Sequence, residues 1–225
     1  MRHGVQRAGG TCLVGVLVAA RLVARNEIDV TSLVRHASAA AGRAVGYEDL
    51  CKAPEQVLRS IAAEGVDVAI SCLGTTIRTA GSQPAMFRVD HDYVLAVAKG
   101  AKSLGARQLI LVTAAGAGGP GFYLQTKGQI EQAITSLGHE QVDLIRPGFL
   151  IGNRNERRVW ETICQSIFAA LTPILPGQLS RYGAIPAEIV ADAIVRRITD
   201  INSGITIIEN NDLRRLSETG SCKPL

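Results

Sequence analysis

Short runs of β-branched and aliphatic residues recur along the chain, at 30–34, 66–72, 108–113, 142–145 and 205–208. Most are continuously apolar rather than alternating, the pattern of strands buried on both faces of a parallel sheet. Between them, segments 12–24, 53–64, 93–104, 126–137 and 187–198 carry helix formers with apolar residues three and four apart. Gly65, Gly105 and Gly138 stand where such helices stop. Strand and helix units repeating in this way predict an α/β fold, a doubly wound parallel sheet of the Rossmann type with right-handed crossovers. Such sheets bind ligands at the carboxyl ends of their strands. The weak point is the start: residues 3–8 are few and hardly apolar, so the first strand is expected to be stunted or poorly ordered.

The 225 residues, 47% hydrophobic and 20% charged, suit one domain that buries its own core. Within it, 1–147 reads as the dinucleotide-binding core and 148–200 as a small C-terminal substrate-lid segment, which returns to a final strand near 205–208. The tail after Leu216 reads as frayed. Five cysteines, odd in number and without C-x-x-C spacing, predict neither a disulfide framework nor a metal site, and point to a cytoplasmic home. A net charge of +4 with 4% aromatics offers no stripe for tracking nucleic acid. Arg2 and Arg7 ahead of the apolar run 12–20 imitate a secretory leader, but the run is too short to span a bilayer and Arg21 and Arg25 follow it. The expected partner is therefore a small-molecule substrate, with no nucleic acid and no membrane. A homodimer or another protein partner is left open.

The apolar run fits better as a glycine turn entering a helix. In Gly9-Gly10-Thr11-Cys12-Leu13-Val14-Gly15, a turn of this kind lets backbone N–H groups and the positive end of a helix dipole meet a diphosphate. Gly9 and Gly15 stand where a G-x-x-G-x-x-G turn needs them, whereas Cys12 takes the middle glycine's place. At the end of the second strand Arg35 replaces the acidic residue that would accept from a ribose 2′-OH, and an Arg there suits a 2′-phosphate. NADP is thus the expected cofactor, with NAD as the alternative. Leu73-Gly74-Thr75 follows a buried strand and would let a ribose approach closely. Asp49, on a third strand or its exit, is a candidate for facing an adenine.

Reactivity is carried by Tyr123-Leu124-Gln125-Thr126-Lys127. A spacing of four puts both side chains on one helix face, where the ammonium can depress the phenol pKa and the phenol can exchange a proton with a carbonyl or carbinol. The pair follows the loop 116–121 and the strand 108–113, where a hydroxyl partner belongs; Thr113 is the best candidate. Asp90 and Asp92, just before Tyr93, read as helix-capping carboxylates. Arg154, Glu156, Arg157 and Arg158 read as a salt-bridged network, and Trp160 and Phe168 as packing.

In this order, glycine turn, Arg35, Leu73-Gly74-Thr75-Thr76, Tyr123-x-x-x-Lys127 and Arg146-Pro147-Gly148, the chain resembles the short-chain dehydrogenase/reductase superfamily in its atypical branch. The stretches SCLGTT, FRVDHDYVLAVAKGAKSLGARQLILVTAAGA, FYLQTKGQIEQAI and IRPGFLIGNRNERR are similar to the Tat-interactive-protein-like oxidoreductases and their bacterial NAD(P)-binding relatives. The resemblance implies a Rossmann fold, NADP held by the glycine turn and Arg35, Tyr123 and Lys127 at the nicotinamide, and Pro147 and Gly148 lining it. The chain departs from that family at Cys12, where the turn has Gly, and at Thr113-Ala114, where a pair of serines is usual. Two classes of function follow: an NADP-dependent oxidoreductase on a small carbonyl or alcohol, or a silent NADP-binding regulator or interaction protein. A nucleotide-sugar epimerase or dehydratase is a weaker third.

Overall fold

The computed structural model describes residues 3–9, 12–25, 27–34, 42–152, 181–200 and 202–218. Strands β1 (His3–Ala8), β2 (Ile28–Val34), β3 (Arg43–Ala44), β4 (Val68–Ser71), β5 (Gln108–Val112) and β6 (Gln141–Arg146) build the sheet with a last strand, β9 (Gly204–Glu209). The order is β3-β2-β1-β4-β5-β6-β9, and every pairing is parallel. A separate two-stranded ribbon pairs β7 (Phe149–Ile151) with β8 (Ala184–Pro186). The strand order reverses between β1 and β4, which opens a crevice beyond their carboxyl ends.

Apolar residues that alternate along β4 and β5 explain the two layers of helix. Ile70 and Ile110 join Val5, Ile145 and Ile208 beneath α1 (Leu13–Val23), α8 (Ala187–Arg197) and α9 (Asn210–Glu218). Ala69, Leu109 and Leu111 face the other way, against α6 (Val94–Ser103) and α7 (Phe122–Thr135). Beside them α2 (Tyr47–Lys52) and α3 (Pro54–Arg59) cover Ala8 and Leu33. The continuous burial expected of central strands holds for β4, all four residues of which are buried, while the edge strand β9 leaves Ile205 and Ile207 exposed. Among the described residues no helix is long and apolar enough to cross a membrane.

Several local expectations are corrected. The first strand is not stunted: β1 has six residues and pairs on both sides, with β2 and β4. Its buried Arg7 is accommodated because the guanidinium donates to the Gly15 carbonyl and, at 2.8 Å, to Ser32 Oγ, which ties β1 to α1 and β2. Of the helix expected over 53–64 only α3, 54–59, forms; Ala53, whose φ of −141° and ψ of 66° lie outside the α region that Pro54 disfavours for the residue before it, separates it from α2. Asp49 lies in α2, not on a third strand, which has only two residues. Helical structure before α6 begins well ahead of Tyr93: Ser82 caps α5 (Gln83–Phe87) by accepting from the Ala85 amide, and a π-helical turn, Arg88–Tyr93, runs on into α6. Asp90 and Asp92 therefore cap nothing; they sit inside a helix. The C-terminal residues continue as α9 to Glu218, past the expected fraying point.

At the amino end of the sheet Asp143, fully buried, accepts from Gln108 and Gln141 at 2.7 and 2.9 Å and pairs with Arg197 of α8 at 2.6 Å. The Arg197 side chain is 6% exposed. Arg197 also pairs with Asp200, so it is loss of Arg197 that strands a charge, the Asp143 carboxylate, in the interior. Arg197→Ala is predicted to lower stability by about 3–5 kcal/mol, read as a fall in the urea unfolding midpoint.

Candidate functional site

The carboxyl ends of β1, β4, β5 and β6 deliver the residues of the crevice. After β1, Gly9 has φ +85°, and a Cβ there would stand 2.6 Å from the carbonyl carbon of Cys72, so only glycine lets the turn pass β4. A Cβ on Gly15 would stand 2.1 Å from the Gly9 carbonyl oxygen. This close-packed turn leads into α1, whose first amides have no partner within the helix. Cys12 N donates to Gly9 O, and Gly15 N donates to Cys12 Sγ at 3.2 Å. The amides of Leu13 and Val14 have no acceptor among the described residues, and they fit a diphosphate. Cys12 is thus an N-cap whose sulfur occupies one amide that a glycine would leave open. Gly10, Thr11 and Arg35 lie outside the described residues, as do Arg154, Glu156, Arg157, Arg158, Trp160 and Phe168 of the lid segment.

After β4, the loop Leu73-Gly74-Thr75 is held by Asp90. The Thr75 amide donates to Asp90 Oδ1 at 2.7 Å, and the other carboxylate oxygen pairs with Lys127 Nζ at 2.8 Å. Both side chains are buried, 0% and 5% exposed. Gly74 stands over the pair: a Cβ there would lie 3.7 Å from Lys127 Nζ. Lys127 Nζ is also 5.6 Å from the centroid of the Tyr123 ring, one turn earlier on α7. Residues read separately in the sequence, Leu73-Gly74-Thr75 and the Tyr123/Lys127 pair, are thereby joined through a carboxylate that the sequence reading assigned to capping.

The electrostatics differ from the expectation at Tyr123. Burial pushes its phenol above the ordinary tyrosine value and Asp90 adds to this, while Lys127 opposes it without prevailing. The expected depression is corrected for a physical reason: burial penalises the phenolate more than the Lys127 ammonium, partly offset by Asp90, favours it. Burial is also the largest influence on Lys127 and would lower its pKa, but Tyr123, Asp90 and Glu131 together hold it above the ordinary lysine value. The ammonium stays charged.

Thr113, at the end of β5, donates its hydroxyl to Glu131 Oε1 at 2.6 Å and is buried. Glu131 also accepts from Arg146 Nε at 3.0 Å. The threonine hydroxyl is therefore committed to a carboxylate on α7. Glu131 continues the face of Tyr123 and Lys127 at the next interval of four, a spacing legible in the sequence but not used. The Pro147 carbonyl accepts from the Ala115 amide at 2.9 Å, and the Gly148 amide donates to Asn210 at 2.8 Å, which fixes the chain after β6 beside the loop after β5.

Replacing Asp90 tests this electrostatic account. In Asp90→Asn the Lys127 pKa is predicted to fall, because burial is then opposed only by Tyr123 and Glu131. Titration of lysine ε-carbons by NMR reads it, and an unmoved Lys127 resonance would contradict the account.

Residues 9–200 match a family model described as NAD(P)H-binding. Protein HTATIP2 of Rattus norvegicus is 33% identical over 158 residues, covering 69% of this chain and 63% of that protein. Protein fmp52, mitochondrial, of Emericella nidulans is 36% identical over 104 residues, 45% of each. The chain thus spans less than two thirds of the length of these curated relatives. In fold it is similar to a UDP-glucose 4-epimerase from Thermotoga maritima with UDP-glucose, at TM-score 0.69 and 14% identity over 98% of this chain and 84% of that one. It is also similar to a short-chain dehydrogenase/reductase superfamily protein from Agrobacterium tumefaciens with bound NAD, at TM-score 0.67 and 13% identity over 96% and 81%. The cytoplasmic expectation is overturned by these comparisons, since several fungal relatives are named as mitochondrial proteins. Free thiols report a reducing environment, not one compartment. By the match over residues 9–200 and the identity to Protein HTATIP2, the chain belongs to the NAD(P)H-binding family, and its fold is the Rossmann type of the solved structures it resembles.

Proposed function

We propose that the protein is an NADP-dependent oxidoreductase of the short-chain dehydrogenase/reductase type, acting on a small carbonyl or alcohol. The observation that carries this reading is the buried Asp90–Lys127 pair beside the Tyr123 ring, at the mouth of the crevice between β1 and β4. A bound nicotinamide supplies or accepts the hydride. Tyr123 Oη donates a proton to the substrate oxygen in reduction and takes one back in oxidation. Lys127 holds the ribose by its ammonium while Asp90 keeps that ammonium charged and aimed. Leu13 and Val14 amides hold the diphosphate, with Gly9, Thr11, Cys12 and Gly15 shaping the turn, and Arg35 meets the 2′-phosphate. Leu73, Gly74, Thr75, Pro147 and Gly148 line the cofactor's path. Thr113 supports Glu131 and Arg146.

A second reading has one observation in its favour. With the Thr113 hydroxyl given to Glu131, Tyr123 has no hydroxyl partner on β5, which suits a cofactor-binding regulator of low turnover.

Two measurements separate these readings. Fluorescence titration is expected to show NADPH binding about tenfold to a hundredfold tighter than NADH, the worth of a charged hydrogen bond, and Arg35→Ala is expected to erase the difference. With a panel of aldehydes and ketones, Tyr123→Phe should lower turnover by about 10²–10⁴. Because burial holds the Tyr123 phenol protonated, kcat/KM for reduction, which reports the free protein, should stay flat to about pH 10 while that for oxidation rises. Tight NADPH binding with no turnover of any carbonyl would favour the regulator; turnover that survives Tyr123→Phe would remove the tyrosine from the chemistry.

A further inference from the structure

Two cysteines from separate elements meet at the glycine turn. Cys12 caps α1 and is partly exposed; Cys72 follows β4 directly and is buried. The Cys12 thiol donates to the Cys72 carbonyl at 3.0 Å, and the Cys12 side chain packs against the apolar cluster that contains Cys72. Arg7, buried beneath the turn, adds positive charge beside both.

Their surroundings give the two sulfurs different characters. The Cys12 thiol is drawn below the ordinary cysteine value by its hydrogen bond with Cys72, then by the Gly15 amide and the Arg7 charge, against the effect of burial. The Cys72 thiol is pushed well up, by Cys12 and by burial. A partly exposed thiol of thiolate character next to a buried partner matches what makes a cysteine sensitive to peroxide and able to be resolved.

We propose that Cys12 and Cys72 are a redox modification site, joined in an intramolecular disulfide when the protein meets a hydroperoxide, and that this bond shuts the turn to the dinucleotide. In the first step the Cys12 thiolate attacks one oxygen of the peroxide; an S–O bond forms, the O–O bond breaks, and the departing oxygen takes up the proton released by the thiol. In the second, the Cys72 sulfur attacks the Cys12 sulfenic acid; an S–S bond forms, the S–O bond breaks, and hydroxide leaves as water with the Cys72 proton. Two thiols lose two electrons, and hydrogen peroxide is reduced to two waters. The turn has no slack to absorb the new bond, because Gly9 already packs so closely on Cys72 that it has no room for a Cβ. Drawing Cys12 onto Cys72 must move the first amides of α1. The effect on the cofactor rests on the proposed nicotinamide binding; the disulfide itself does not.

The test treats the reduced full-length chain with hydrogen peroxide, blocks free thiols, and maps peptides without reduction by mass spectrometry. A peptide linking Cys12 to Cys72, with loss of two hydrogens, is expected in the native chain and in Cys51→Ser, and is expected to be absent from Cys12→Ser. Oxidation should weaken NADPH binding by at least about tenfold, and dithiothreitol should restore it. Cys12 halted at sulfinic acid, or linked to a different cysteine, overturns the site. A linked protein that binds NADPH as before overturns the switch. Reduced protein that binds no dinucleotide overturns the proposed function and the switch together, while the mass map still decides the disulfide.

Discussion

An ammonium taken out of water has to be matched, and Lys127 is matched by Asp90 at 2.8 Å with both side chains buried. Three pieces of backbone must hold their places for that pair to exist: α7 carrying Lys127, the π-helical turn carrying Asp90, and the loop after β4 that donates the Thr75 amide to the same carboxylate. Breaking any one of them leaves a buried charge exposed to its full desolvation penalty. Position of Tyr123 follows, since it precedes Lys127 by one turn of the same helix. Its protonation follows first from burial, with Asp90 offsetting part of the pull of Lys127 on the proton. The wider turn at 88–93 has a role in this arrangement: π-helical turns recur at functional sites because they re-aim a side chain within an otherwise regular helix.

The end of the crevice proposed for the diphosphate rests on a different compromise. Arg7 is an unusual residue for the middle of a central strand, yet its guanidinium ties three elements around the turn. Cys12 satisfies an amide that the same turn in a glycine-only form would offer to a ligand. Among the described residues the site therefore has two unpartnered amides in its first turn, with a thiol between them and β4. On the proposed reading, affinity for the phosphates and access to oxidation are set by the same residue.

Much of the fold was legible in the sequence because both faces of the inner strands are covered. Runs such as 108–112 carry no alternation, and only a parallel sheet with helices on both sides explains them. The glycine stops at Gly105 and Gly138 and the turn before α1 were legible for a similar reason, each being demanded by backbone conformation, whereas α3 ends six residues before Gly65. What failed were features fixed by tertiary partners. β1 looked too polar because Arg7 finds acceptors on α1 and β2 that no local pattern reveals. Asp90 looked like a cap because the true start of that helix lies at Ser82, and a π-turn has no periodic signature. The phenol pKa was misjudged in sign for the same cause: the pair Tyr123/Lys127 is visible in sequence, but the burial of the phenol, and the distant Asp90 carboxylate that adds to it, are set by tertiary packing. Glu131, by contrast, was readable at an interval of four from Lys127.

The central claim is that the crevice between β1 and β4 holds the dinucleotide, with its diphosphate on the start of α1 and its nicotinamide ribose at Lys127. A crystal structure of the NADPH complex tests this most directly. The account predicts diphosphate oxygens within hydrogen-bonding distance of the Leu13 and Val14 amides and a ribose hydroxyl on Lys127 Nζ, with Asp90 still paired to the same ammonium. A dinucleotide bound elsewhere on the sheet, or a ribose that leaves Lys127 untouched, would contradict it.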